Sequence, residues 1–108
     1  GKIHTQEVLV DLNGAVAPDY VFERYYQGYS SLKGDYRMLD LKSLEAFLKQ
    51  NHHLPEIPSA QKLKEDGLEL KKMNLLLLQK IEELTLYTLQ QQKQLDALQG
   101  QVQLLIKQ

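Results

Sequence analysis

The sequence predicts a mainly α chain: a short β-strand region at the N-terminus, then two short helices, then a long C-terminal helix that joins copies of itself in a parallel coiled coil. Three observations carry this reading. From about Leu70 to Leu105 the apolar residues keep one heptad phase, with Asn74, Ile81, Thr88, Leu95 and Val102 at position a and Leu70, Leu77, Leu84, Gln91, Leu98 and Leu105 at position d. Eight of these eleven positions are apolar, and the pattern is too long for a helix that serves only its own chain. Between residues 40 and 67 two shorter segments carry helix-start and helix-stop residues. Near the N-terminus, β-branched residues partly alternate.

Taken in order, residues 3–12 read as a strand, with Ile3, Thr5, Glu7 and Leu9 on one face and Val8, Val10 and Leu12 on the other. The pair Asn13-Gly14 closes it as a turn. A lone strand has no ladder partner, so it is expected to pair with upstream residues or with the same strand of another subunit. The opening Gly1-Lys2-Ile3 reads as the start of a piece cut from a longer chain. Pro18-Asp19-Tyr20-Val21-Phe22 is expected as an extended connector with apolar anchors. Five of the six tyrosines fall between residues 20 and 36, and those of the Gly-rich segment 25–39 (Tyr25, Tyr26, Tyr29 and Tyr36) suit either an adaptable contact surface or rings tucked against neighbouring helices.

Asp40 is a good N-cap for a helix over residues 41 to about 51, whose Leu41, Leu44, Phe47 and Leu48 share one face. His52-His53-Leu54-Pro55-Glu56-Ile57-Pro58 ends that helix, since each proline pushes its predecessor toward extended geometry. Ser59 caps a second helix over residues 60–66, and Gly67 supplies the left-handed position that stops it. The long helix starts at Leu68 or Glu69 and runs roughly 55 Å at about 1.5 Å per residue. Met73, Leu75, Leu76, Leu78 and Leu86 add apolar surface outside the seam, so the short helices are expected to pack around its first turns, leaving a Gln-rich stalk beyond Thr88. The chain thus divides into a strand and connector (1–24), a Tyr/Gly-rich loop (25–39), two short helices with a Pro-rich turn (40–67) and the coiled-coil helix (68–108). Ile at a with Leu at d leans toward a dimer. The polar seam residues Asn74, Thr88 and Gln91, and the apolar residues flanking the seam, favour a wider bundle. Three strands are expected ahead of two.

Composition narrows the partners. Thirteen basic against fourteen acidic residues, with no block of like charge, argue against nucleic acid or an anionic membrane surface. No apolar run approaches the roughly twenty residues that span a bilayer. The chain has no cysteine, hence no disulfide framework and no thiolate chemistry. His52 and His53 are adjacent and do not converge on one ion, His4 is distant in sequence, and a solvated or hydrogen-bonded turn is the expected role of the pair. Glu82 and Glu83 point apart on a helix and make no acid/base pair. Ser30 and Ser31 near Lys33 have nothing in the sequence to fix a nucleophile or an oxyanion hole. Gly28 and Gly34 form no phosphate loop. No cofactor, metal or enzymatic activity is expected.

The blocks Pro18-Asp19-Tyr20-Val21-Phe22-Glu23, His53-Leu54-Pro55-Glu56-Ile57-Pro58-Ser59-Ala60, Met73-Asn74 and Ile81-Glu82-Glu83-Leu84-Thr85-Leu86-Tyr87 resemble the C-terminal module of bacterial tail-fibre-like and adhesin-like surface proteins, over nearly the whole chain. More loosely, the chain is similar to the intramolecular chaperone domains of phage tail fibres and endosialidases. The resemblance implies a trimeric end piece behind a β-rich fibre, located outside the cell, at its surface or on a phage particle. The self-cleaving Ser-Lys dyad of the chaperone domains has no matching motif here, and residues 25–37 look like an insertion relative to the family. The expected function is a homotrimerisation and assembly module that sets chain number and register. The rival expectation is a receptor-binding tip that holds a cell-surface or glycan receptor through Tyr25, Tyr26, Tyr29 and Tyr36.

Overall fold

In the computed structural model, which describes residues 7–108, four helices follow one another: α1 (Tyr20–Gln27), α2 (Leu41–Asn51), α3 (Ala60–Asp66) and α4 (Leu70–Lys107). No strand occurs among the described residues. The 38 residues of α4 span about 57 Å and set the long dimension of a molecule measuring 71 × 31 × 31 Å.

The expected strand at residues 3–12 lies partly outside the described residues. Residues 7–12 belong to no helix or strand and are exposed, Leu9 completely. The turn after them forms where Asn13-Gly14 predicts. The Asn13 backbone N–H donates to Asp11 Oδ1 at 3.0 Å, Ala15 N–H reaches Leu12 O at 2.8 Å, and Gly14 takes φ 76°.

The extended connector at Pro18 to Phe22 is corrected by the structure: Tyr20 begins α1, so the segment expected as connector and the head of the expected loop are one helix. Val21 is 1 % exposed and Tyr20 4 %, and the helix stops at Gly28 in the left-handed region, its N–H bonded to Arg24 O at 2.7 Å. Tyr, Val and Phe prefer strands only weakly, and docking of their face on α4 overrides that preference. α1 is the helix in substantial contact with α4.

Helices α2 and α3 form with the expected caps. Asp40 Oδ1 accepts from Ser43 N–H at 2.7 Å and Ser59 Oγ from Lys62 N–H at 3.2 Å. The stop at Gly67 differs from the expected left-handed cap: φ 80° with ψ −178° is a region open essentially to glycine alone. Neither α2 nor α3 buries a residue. α4 begins at Leu70, one or two residues later than the sequence suggests.

The small core consists of Tyr20, Val21, Tyr36 and Leu86, with Phe22 and Met38 packed against it. Of the apolar surplus on the first turns of α4, Leu86 is taken up fully beneath α1, while Leu78 stays 42 % exposed. A groove lined by Leu63, Met73 and Leu76 marks where α3 approaches. No helix among the described residues is long and apolar enough to cross a membrane.

Candidate functional site

α4 has two faces with opposite fates. Its buried residues are Gln79, Glu82, Glu83, Leu86 and Tyr87, at heptad positions f, b, c, f and g. At roughly 100° per residue their mean direction is about 160° from the a/d seam. The chain therefore spends its own packing on the back of the helix and leaves the seam bare.

Three tyrosines and a glutamine hold that back face. Tyr20 Oη donates to Gln79 Oε1 at 2.5 Å, and the two N–H bonds of the Gln79 amide go to Glu56 Oε1 at 2.8 Å and Glu83 Oε2 at 3.2 Å. Gln79 is completely buried, so this set of partners fixes its amide. Tyr36 Oη donates to Glu83 Oε2 at 2.5 Å, and Tyr87 Oη to Leu39 O at 2.5 Å. Lys80 Nζ bridges Glu56 at 3.1 Å and Glu83 at 3.2 Å. Glu56 enters from the Pro-rich turn with φ 69°, an uncommon conformation for a residue with a Cβ. The turn that follows α2 is thus fastened to α4 by one carboxylate.

The carboxylates and burial act on the tyrosines in the same direction. Burial, then Glu56, Glu82 and Glu83, push the Tyr20 hydroxyl up to about 12. Burial and its bond to Glu83 raise Tyr36, and burial raises Tyr87, so all three remain protonated donors.

Glu82 is 4 % exposed and one of its oxygens, Oε1, has no protein partner. The carboxyl lies against Asp19 and the backbone of Val21 in the first turn of α1. Asp19 stands at the N-cap but makes no capping bond with its own side chain, and the Glu82 carboxyl from α4 lies at that helix start. Burial, followed by the Asp19 contact, raises Glu82 to about 7. Glu82 and Glu83 do face different partners, as their spacing indicates; that both are buried is not visible from spacing.

The seam is open along its whole length. Leu70, Leu77, Ile81, Leu84, Leu95, Leu98, Val102 and Leu105 are between 43 % and 69 % exposed. Asn74, Thr88 and Gln91 lie exposed on the same line, and the Thr88 hydroxyl is turned back to Leu84 O at 2.9 Å. A shallow groove is formed by the seam residues Ile81, Leu84 and Thr88 with Thr85 and Leu89 along its edge. Each fully buried Leu, Ile or Val side chain contributes about 1.5–3 kcal/mol, so completing the burial of the eight apolar seam residues contributes roughly 7–13 kcal/mol per chain, before the cost of association.

The expected contact tyrosines separate into two groups. Tyr36 is 4 % exposed and belongs to the core, because its ring meets Tyr20 at 5.1 Å and its hydroxyl is held by Glu83; as a surface contact residue it is corrected. Tyr26 and Tyr29 are 67 % and 61 % exposed, and Tyr25, at 36 %, packs edge-on to Tyr26 with Lys93 Nζ 5.9 Å from its ring.

The remaining chemistry candidates are engaged locally. Ser30 Oγ accepts from Leu32 and Lys33 N–H, at 3.1 and 3.0 Å. Ser31 donates its N–H and its hydroxyl to Glu23 Oε1, which lowers the Glu23 pKa. Lys33 Nζ sits 5.2 Å from the Tyr20 ring centre. His52 ends α2 in the left-handed region, and His53 packs edge-on against Phe47 with Nδ1 2.8 Å from Leu54 O. Among the described residues no group of three or more His, Asp or Glu side chains is arranged to hold a metal ion. Comparison with protein-family models, with curated proteins and with solved structures gave no match.

Proposed function

We propose that this chain is a non-enzymatic trimerisation and assembly module, in which three copies of α4 join through the a/d seam and align the N-terminal segments for a fibre lying upstream. The observation that carries the reading is the bare seam: eight apolar side chains stay 43–69 % exposed along one line of α4, while over residues 79–87 the opposite face is buried by the chain itself. A line of exposed apolar side chains of this length marks an interaction surface. Asn74, Thr88 and Gln91 supply the polar layers that fix register and strand number. Once the stalks join, pairing of the N-terminal segments becomes effectively intramolecular, which raises their local concentration. The resemblance of the Pro-Asp-Tyr-Val-Phe and His-Leu-Pro-Glu-Ile-Pro-Ser blocks to tail-fibre-like and adhesin-like end pieces supports the same role, outside the cell or on a phage particle.

Replacing Leu77 and Leu84 together with Asp tests the seam. The variant is expected to behave as a single chain while keeping the near-UV circular dichroism of the buried tyrosines, which lie on the other face. A variant that retains the parent's mass in solution refutes the seam. A second reading, a receptor-binding tip, is favoured by the exposed rings of Tyr25, Tyr26 and Tyr29. Changing these three to Ser separates the two readings: loss of glycan or cell binding with unchanged assembly supports the tip.

A further inference from the structure

We infer that the interface extends beyond the a/d seam: Leu39 and Leu41 of one copy rest on the flank of α4 at Thr85 and Leu89 of the neighbouring copy, so that α2 fastens two chains together. This rests on the parallel, in-register assembly proposed above and adds to it a second contact surface with a defined occupant, another copy of this chain.

The placement follows from one hydrogen bond. Tyr87 Oη donates to Leu39 O, and Tyr87 is a g position, so the entry to α2 lies beside the g flank of α4. The chain's own elements cover positions b, c, f and g around Glu82, Glu83, Leu86 and Tyr87, leaving a, d and e open. In a parallel coiled coil the g flank of one helix faces the e flank of the next. Thr85 is an e position and Leu89 is the b residue one turn along the same edge; Thr85 is exposed and Leu89 is 42 % exposed. With chains in register, residues 85 and 89 of the neighbour lie within about 3 Å, along the axis, of the level of residue 87. Leu39, whose carbonyl meets the Tyr87 hydroxyl, is 38 % exposed and Leu41, at the start of α2, is 43 % exposed.

The single chain leaves α2 short of partners. On its apolar face Leu44, Phe47 and Leu48 are half-buried, Leu44 beside Pro55 and Tyr87 of the same chain, while Leu41 stays 43 % exposed and no residue of the helix is buried. An amphipathic helix draws most of its stability from burying that face, so the missing cover is to be sought in the assembly. Thr85 and Leu89, the edge of the groove whose floor is the seam residues Ile81, Leu84 and Thr88, are the complementary surface. It continues the open seam, so one neighbour fills both.

The test is a comparison of backgrounds in the full 108-residue chain. Leu39 and Leu41 are changed together to Asp, in the parent and in the Leu77→Asp, Leu84→Asp single chain, and dissociation on dilution is followed by sedimentation alongside helicity by circular dichroism. The expected result is dissociation at a concentration at least about tenfold higher in the parent background, as for central apolar interface residues, with helicity unchanged in the single-chain background. Leu89→Asp is expected to give the same loss, and combining it with the Leu39 and Leu41 changes less than the product of the two. An unchanged dissociation concentration, an equal loss of helicity in both backgrounds, or fully multiplicative effects overturns the inference while leaving the seam reading intact. A parent chain that already sediments as one copy instead refutes the assembly reading on which it rests.

Discussion

Replacing Glu82 with Gln isolates the one acid that the fold holds against its preference. Glu82 is nearly buried and lies against Asp19, and burial followed by the Asp19 contact raises its pKa to about 7 from an ordinary 4.5. The folded state therefore binds more protons than the unfolded chain between those two values. Stability falls as pH rises through that window, the cost is fully present above about 7, and it is relieved toward 4.5. At full weight the displacement corresponds to roughly 3 kcal/mol, and solvent screening through the exposed Asp19 reduces it to about 1–2 kcal/mol. Gln keeps the shape and presents an N–H donor beside the Asp19 carboxylate, with no charge to desolvate. The assay is urea unfolding followed by helix circular dichroism at one fixed chain concentration, at about pH 5 and about pH 8, since association adds to apparent stability. The parent is expected to lose about 1–2 kcal/mol more than Glu82→Gln between the two, and the variant to be the more stable at the higher pH. Glu23 and Asp40, whose pKa values are lowered by backbone hydrogen bonds from Ser31 and Ser43, lose their contribution only in more acidic solution. Parallel pH dependences of parent and variant refute the assignment.

Three further outcomes follow from the same contacts. Tyr36→Phe removes one donor from the nearly buried Glu83 carboxylate and is expected to cost about 2 kcal/mol in urea unfolding; a cost within error of zero contradicts the bond. At position 56 two substitutions are ranked: both Ala and Gly lose the contacts to Gln79 and Lys80, but Gly relieves the positive φ, so Glu56→Gly is expected to be about 1 kcal/mol more stable than Glu56→Ala, and the reverse order removes the backbone argument. Changing Asn74, Thr88 and Gln91 together to Ile is expected to tighten association while broadening the distribution of assembly states in sedimentation; a single unchanged state means these residues do not specify number or register.

The helices that their own residues announce were legible in the sequence. α2 begins one residue after Asp40 and α3 one residue after Ser59, because a capping oxygen is a local signal. The seam is legible for the same reason, since heptad spacing alone determines which residues share a face. α1 is not, for Tyr20, Val21 and Phe22 suit a strand as well as a helix, and the choice is made by docking on Leu86 and Gln79, some sixty positions away. Pro18-Asp19 before it and Gly28 after it were start and stop signals of the kind used for α3. The buried polar face is not visible in composition: nothing local marks Gln79, Glu82 and Glu83 for burial, which comes from Tyr20, Tyr36 and Glu56 brought to them by the fold. The candidate contact tyrosines divide along the same line, because Tyr36 was needed inside and Tyr26 and Tyr29 were not.

The central claim is that the bare seam of α4 joins three copies, and the molar mass of the chain in solution, measured by light scattering at moderate salt, tests it most directly. Three times the chain mass of 12.5 kDa is the predicted result. A single chain mass would mean that the seam finds no copy of itself, and twice the chain mass would mean a two-stranded seam; either contradicts the account.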